Sequence, residues 1–176
     1  MSAPFVVAFV PGVTPGKWVR IWEERMRRQP IEVRPLPQPE ALAALRTGEV
    51  QMALVREVPA DDELHVIPLY REQPVVVVAK EHPASALDTV DLRDLDGEPR
   101  QDGQDAAAVE LVAAGVGVAI MPQSLARLHA RRDVVARPLR DAPDTGIGLA
   151  WLRTNEDPRL ETFIGIVRGR TVNSSR

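Results

Sequence analysis

The spacing of apolar residues divides this chain into short stretches of two kinds. The unbroken run Phe5 to Val10 reads as a buried strand, and the turn residues Pro11 to Gly16 open a helix from about Lys17 to Arg28. Within that helix Trp18, Val19, Trp22 and Met26 recur at helical spacing. Ile31 to Leu36 alternates as a strand. A helix over Pro39 to Thr47 follows, with Pro39 suited to its first turn and Gly48 to its C-terminal cap. Val50 to Val55 is strand again. This β-α-β-α-β run predicts a parallel sheet with helices on both faces, because parallel neighbours need a crossover between them.

Further along, the pattern changes. Leu64 to Leu69 and Gln73 to Ala79 read as strands, the second so continuously β-branched that both its faces must be buried. Asp88, Asp91, Asp94 and Asp96 around Leu87, Leu92 and Leu95 mark a short helix or turn cluster. Asp102 to Asp105 is the least structured piece, and a helix from about Ala106 to Ala114 follows it. Val109, Val112 and Ala113 keep helical spacing until Gly115 and Gly117, whose turn feeds the apolar run Val118 to Met121, closed by Pro122. That run predicts a short buried parallel strand. Ser124 to Arg132 is a second short helix, Asp133 to Leu139 and Ile147 to Trp151 are strands, and Pro158 to Val167 is a closing amphipathic helix. Thr171 to Arg176 reads as a frayed end.

Composition narrows the partners. The 176 residues carry 22 basic and 25 acidic side chains, and the net charge of −3 offers no electrostatic footprint for nucleic acid or an anionic membrane. The absence of cysteine excludes disulfides, thiolate catalysis and Cys-ligated zinc. No basic leader opens the sequence and no apolar run reaches ~18 residues, so a soluble cytoplasmic protein is expected. A chain of this size buries roughly 70% of its unfolded surface, enough for one domain or two small lobes.

Nothing points to catalysis, a metal or a cofactor. His65, His82 and His129 lie far apart, in a strand, a proline turn and a charged helix. The aspartates from Asp88 to Asp96 lack calcium-loop spacing, and Gly115 and Gly117 lack the third glycine of a dinucleotide fingerprint and precede a strand. No P-loop or nucleophile elbow is present.

A binding site is better supported. In open parallel sheets, ligands sit beyond the carboxyl ends of the strands, where helix N-termini and loops converge. The first such loop contains Gly12, Val13, Thr14 and Pro15; its glycines leave backbone N–H groups accessible, the helix behind it favours an anion, and Thr14 is placed to cap that helix or to donate to a ligand. Gln38 stands before the second helix, and Arg56 follows the third strand, where a bidentate contact to a carboxylate is available. Plain alternatives stand beside each: an ordinary turn at Pro11 to Gly16, and an ion pair of Arg56 with Glu57 or Asp61.

Five pieces in fixed order carry a resemblance: Ala44, Leu45, Gly48, Val50, Met52 and Ala53; Pro68, Leu69 and Glu72; Val76 to Ala79 with His82 and Pro83; Leu92, Leu95 and Gly97; and Val112 through Gly115 and Gly117 to Pro122. Together they resemble the effector-binding domain of LysR-type transcriptional regulators. The resemblance implies an α/β fold of the type 2 periplasmic-binding-protein kind, two Rossmann-like lobes joined by two crossover strands around a small-molecule cleft. On this scheme lobe I takes residues 1–73 and 146–176 and lobe II residues 74–145. Lobe II is abridged, since only Arg100 to Ala108 stands where the family has further strand and helix. The family's winged helix-turn-helix is not in this sequence, whose first strand starts at Phe5, so direct DNA binding by this chain is not expected.

The resemblance makes Gly12, Val13, Thr14, Pro15, Gln38 and Arg56 effector contacts; Gln101 and Gln104 either face the cleft from lobe II or, the plainer reading, lie in a solvated loop. Where the family has a serine-like residue in the first loop this chain has Gly12, so only backbone geometry carries over there. It also implies a homodimer in which the first helix meets a lobe II helix of the other subunit, the one ending near Ala114 or that from Ser124. Trp18, Trp22 and Met26 are then either a dimer seam or core packing. The expected function is sensing of a small anionic metabolite, a carboxylate for example, by lobe closure and dimer rearrangement. Two alternatives stay open: a ligand-free module that pairs with a full-length regulator, and a solute-binding protein or enzyme on the same fold.

Overall fold

A computed structural model of the chain describes residues 2–58 and 60–169; the expected frayed end over Thr171 to Arg176 lies outside them. In chain order the elements are β1 (Phe5–Phe9), α1 (Gly16–Arg25), β2 (Ile31–Pro35), α2 (Gln38–Thr47), β3 (Met52–Arg56), β4 (Leu64–Glu72) and β5 (Pro74–Ala79). Two 3-10 turns, Pro83–Ala86 and Leu92–Leu95, precede β6 (Arg100–Gln101), α3 (Ala106–Ala113), β7 (Val118–Pro122), α4 (Gln123–Leu128), β8 (Val134–Pro138), β9 (Thr145–Leu152) and α5 (Arg159–Val167). The chain divides into two compact units, residues 1–70 with 146–176, and residues 71–145.

The sheet of the first unit has the order β2-β1-β3-β9-β4. β1 is parallel to both neighbours, with Phe5 opposite Ile31 and Val7 opposite Met52, as the β-α-β-α-β pattern predicts. β9 returns antiparallel to β3, pairing Ala53 with Ala150. The ends of α2 follow from its sequence: Pro39 sits in the first turn, where a missing N–H costs nothing, and Gly48 caps the last turn at φ 77°.

The aromatic residues settle the role of α1. Trp22 is fully buried, stacked on Phe5 with ring centroids 4.8 Å apart, and it donates from Nε1 to the Gln29 carbonyl at 2.8 Å. Phe163 of α5 closes the cluster at 6.0 Å, and Trp18 is buried too. Both tryptophans are therefore core residues of their own unit. Met26 is half-buried against the same core. The seam expectation fails for the two tryptophans because neither has surface left to offer a second copy. Arg159 fastens the cluster from outside, holding Asp157 through its guanidinium and the Ala3 carbonyl at 2.8 Å. The same guanidinium keeps the Asp157 carboxyl below its ordinary range.

The second unit is a sheet of order β6-β7-β5-β8. β5 is buried on both faces, as its composition requires: Val75 and Val77 pack with Val109, Val112 and Leu125 beneath α3 and α4, while Val76 and Val78 pack with Val90, Leu95 and Leu139. Its neighbours depart from the expected parallel arrangement. β7 is antiparallel to β5, Val76 facing Ile120, and parallel only to the two-residue β6. A strand of two residues leaves no periodicity, which is why Arg100 and Gln101 read as part of a loop. The helix expected from Ser124 to Arg132 stops at Leu128, short of the charged His129 to Arg132 end.

Two devices shape the segment 98–118. Asp105 caps α3, its side chain accepting from the Ala108 N–H at 3.0 Å. Gly117, at φ 72°, lies so close to the Pro99 carbonyl that a Cβ there would sit 2.0 Å from its oxygen, and the Val118 N–H bonds that same oxygen at 2.9 Å.

Candidate functional site

In the first unit the chain leaves β1 for β2 on one side and reaches β3 on the other, so the direction of winding reverses between β1 and β3. Beyond the carboxyl ends of those strands a crevice forms in sheets of this kind, because the connections diverge to opposite sides. Three segments meet there: the loop after β1, the first turn of α2, and the end of β3.

The loop is anchored from below. Gly12 adopts φ 88°, which a side chain disfavours, and Val13 turns back to the Val10 carbonyl at 3.2 Å. The Val13 and Pro15 side chains are buried; Thr14 is exposed. Thr14 does not cap α1. Pro15 occupies the N-cap, its carbonyl accepts from Trp18 and Val19 at 3.0 and 3.1 Å, and no side chain bonds the cap.

Gln38 and Arg56 are brought together. The Gln38 carboxamide accepts from the Arg56 N–H at 2.7 Å and donates to the Arg56 carbonyl at 2.6 Å. The Arg56 guanidinium donates to the Pro11 carbonyl at 3.1 Å. Asp61, one of the ion-pair partners expected for Arg56, bonds Arg46 at 2.6 Å instead. Next along the chain, Glu57 is the only non-glycine residue at positive φ among the described residues, at 44°. Its N–H donates to the Gly146 carbonyl at 2.9 Å, and its carboxylate accepts from the Gly146 N–H. No residue pattern announces that pairing, which spans 89 positions of sequence.

In the second unit Gln101 donates from Nε2 to the Val116 carbonyl at 2.7 Å, bracing the turn into β7, and Gln104 is exposed in the loop before α3. The histidines hold structural posts. His82 accepts at Nδ1 from the Ala84 N–H at 3.0 Å and meets Glu98 through Nε2 at 2.9 Å, His65 lies against the Trp151 ring, and His129 ends α4. No group of three or more His, Asp or Glu among the described residues is placed to hold a metal ion. No described helix is long and apolar enough to cross a membrane. A separate shallow hollow, lined by Glu24 to Gln29, sits at the end of α1.

Two α/β sheets, one wound around a parallel β2-β1-β3 core with loops gathered at its carboxyl edge, define a domain of the type 2 periplasmic-binding-protein kind. The chain matches the LysR substrate binding domain over residues 6–100 and 103–171, and it belongs to that family. The match is interrupted at residues 101–102. Its relatives include the Hca operon transcriptional activator HcaR of Escherichia coli strain K12, 25% identical over 198 residues that span 93% of this chain and 67% of HcaR. An OxyR regulatory domain from Pseudomonas aeruginosa has the same fold, with a TM-score of 0.74 at 21% identity, over 98% of this chain and 100% of its own. So does the BenM effector binding domain with its effector benzoate, with a TM-score of 0.78 at 19% identity, over 94% and 90%. This chain is an effector-binding regulatory domain of the LysR type, and its relatives are transcriptional regulators rather than enzymes.

Proposed function

We propose that the domain senses a small anionic metabolite, with a carboxylate as the leading candidate, at the carboxyl ends of β1 and β3. The observation that carries this reading is the convergence of Pro11, Gln38 and Arg56 from three separate connections, with Gln38 and Pro11 each hydrogen-bonded to Arg56 at 3.1 Å or less. Arg56 supplies a planar fork of N–H donors suited to a carboxylate, and the loop around Gly12 and Thr14 supplies main-chain N–H groups and a hydroxyl. Benzoate, the effector of BenM, is a small carboxylate. Gln101 and Gln104 remain candidate ligand-contact residues.

A panel of small carboxylates, benzoate included, tests the reading by thermal unfolding. A ligand at 100 times its Kd adds about 2.7 kcal/mol of stability. The expected result is stabilisation by at least one member, abolished in Arg56→Ala. A panel that leaves the midpoint unmoved removes the carboxylate.

We further propose that the domain acts as a homodimer. With Trp18 and Trp22 committed to the core, the apolar surface available to a second copy includes Leu111 and Val116 at the end of α3, both more than 40% exposed. Sedimentation equilibrium is expected to give twice the 19.4 kDa chain mass, and a strict monomer at high concentration overturns this part.

A further inference from the structure

We infer that Gln38 is a positioning residue: its carboxamide stands in for a missing rung of the β1–β3 ladder and so aims the Arg56 guanidinium. The inference rests on the sensing reading for its purpose, but its geometry is independent of any ligand. Along β3 the main chain of every second residue faces β1. The Leu54 carbonyl accepts from the Val10 N–H at 3.1 Å, and the next main-chain group facing that side belongs to Arg56. At that level β1 has already ended, and the Val10 carbonyl, which a continuing parallel ladder would turn to the Arg56 N–H, accepts from the Val13 N–H at 3.2 Å instead. The Arg56 N–H and carbonyl would stand open where β3 loses its neighbour.

Gln38 fills the gap. A carboxamide has the donor and acceptor of a peptide group, and here it makes both bonds of a strand rung to one residue, at 2.7 Å and 2.6 Å. It reaches across 18 positions of sequence from the first residue of α2. With the Arg56 main chain fixed on this side, and Arg56 opposite Ile147 of β9 on the other, the direction in which its side chain leaves the strand is set before any ligand arrives. The guanidinium then bridges to the Pro11 carbonyl, which joins the end of β3 to the first loop. Gln38 thus differs from the effector contact expected of it: both ends of its carboxamide bond Arg56, and its effect on an anion passes through the arginine.

The test is a double-mutant cycle of Gln38→Leu and Arg56→Ala in the whole chain, titrated with benzoate, together with hydrogen exchange in the free protein. Leu keeps the bulk of Gln38 and removes both bonds. A positioning role predicts that Gln38→Leu weakens benzoate by roughly ten-fold, the scale of one lost hydrogen bond, and has no further effect once Arg56 is Ala. Additive losses overturn it, because they identify Gln38 as a separate ligand contact. Without ligand, Gln38→Leu is expected to speed exchange of the Arg56 main-chain and guanidinium N–H groups at least about ten-fold, while the Glu57 N–H bonded to Gly146 keeps its rate. Unchanged Arg56 exchange overturns the inference outright. A wild type that ignores benzoate while Arg56 exchange responds as stated counts against benzoate sensing and leaves the positioning role supported.

Discussion

Gly117→Ala is expected to destabilise the chain by about 2–5 kcal/mol, with the damage starting in the second unit. A methyl group at this position meets the Pro99 carbonyl oxygen at 2.0 Å and its carbon at 2.7 Å, both main-chain atoms that cannot swing aside. The residue also holds φ 72°, which costs an L residue about 1–2 kcal/mol before any clash. Overpacking adds about 1–3 kcal/mol when the neighbour is rigid, so a total of about 2–5 kcal/mol follows, against a whole-domain stability of about 5–15 kcal/mol. The damage is local in origin, since the Val118 N–H bond to Pro99 and the β6–β7 pairing both depend on that approach. Gly115→Ala is the control. Gly115 has nearly the same φ, 83°, but nothing within 4 Å of its missing Cβ, so only the conformational cost applies. Urea unfolding of the two variants separates close approach from backbone strain; equal losses contradict the account.

Trp22→Ala carries the second large effect and decides between the two roles the helix pattern leaves open. Truncating a fully buried tryptophan costs about 3–5 kcal/mol, and here it also removes the stack on Phe5 and leaves the Gln29 carbonyl without its indole donor. Trp22→Phe keeps most of the ring contact and loses the hydrogen bond, for about 1 kcal/mol. A seam residue behaves otherwise: its replacement lowers the association constant and barely moves the unfolding of a dilute, dissociated chain. Denaturant unfolding at low concentration is therefore expected to show the full loss, and an unchanged midpoint there returns Trp22 to the surface.

The elements visible in the sequence are those whose physics is local. β1, β3 and β5 are runs of apolar and β-branched residues, α2 is bracketed by Pro39 and Gly48, and the glycine pair 115 and 117 marks the turn into β7; each signal lies within a dozen residues of the structure it specifies. The LysR-type fold followed from those same pieces in order. What escaped is nonlocal. The antiparallel pairing of β7 with β5 is set by the path of the chain between them, and no period of two distinguishes it from a parallel pair. At the site, Gln38, Arg56 and the Pro11 loop were legible as neighbours of strand ends, but the hydrogen bonds that spend Gln38 on the Arg56 main chain, and those of Glu57 to Gly146, join distant positions. Thr14 was legible as a capping residue type, yet Pro15 took the cap because its carbonyl was already in place for Trp18 and Val19.

The most direct test of the sensing account is an amide chemical-shift titration of the intact chain with whichever carboxylate of the panel stabilises it. The account predicts saturable shifts centred on Gly12 to Gly16, Gln38 and Arg56, lost in Arg56→Ala. Shifts confined to the Glu24 to Gln29 hollow, or equal binding by Arg56→Ala, contradict it.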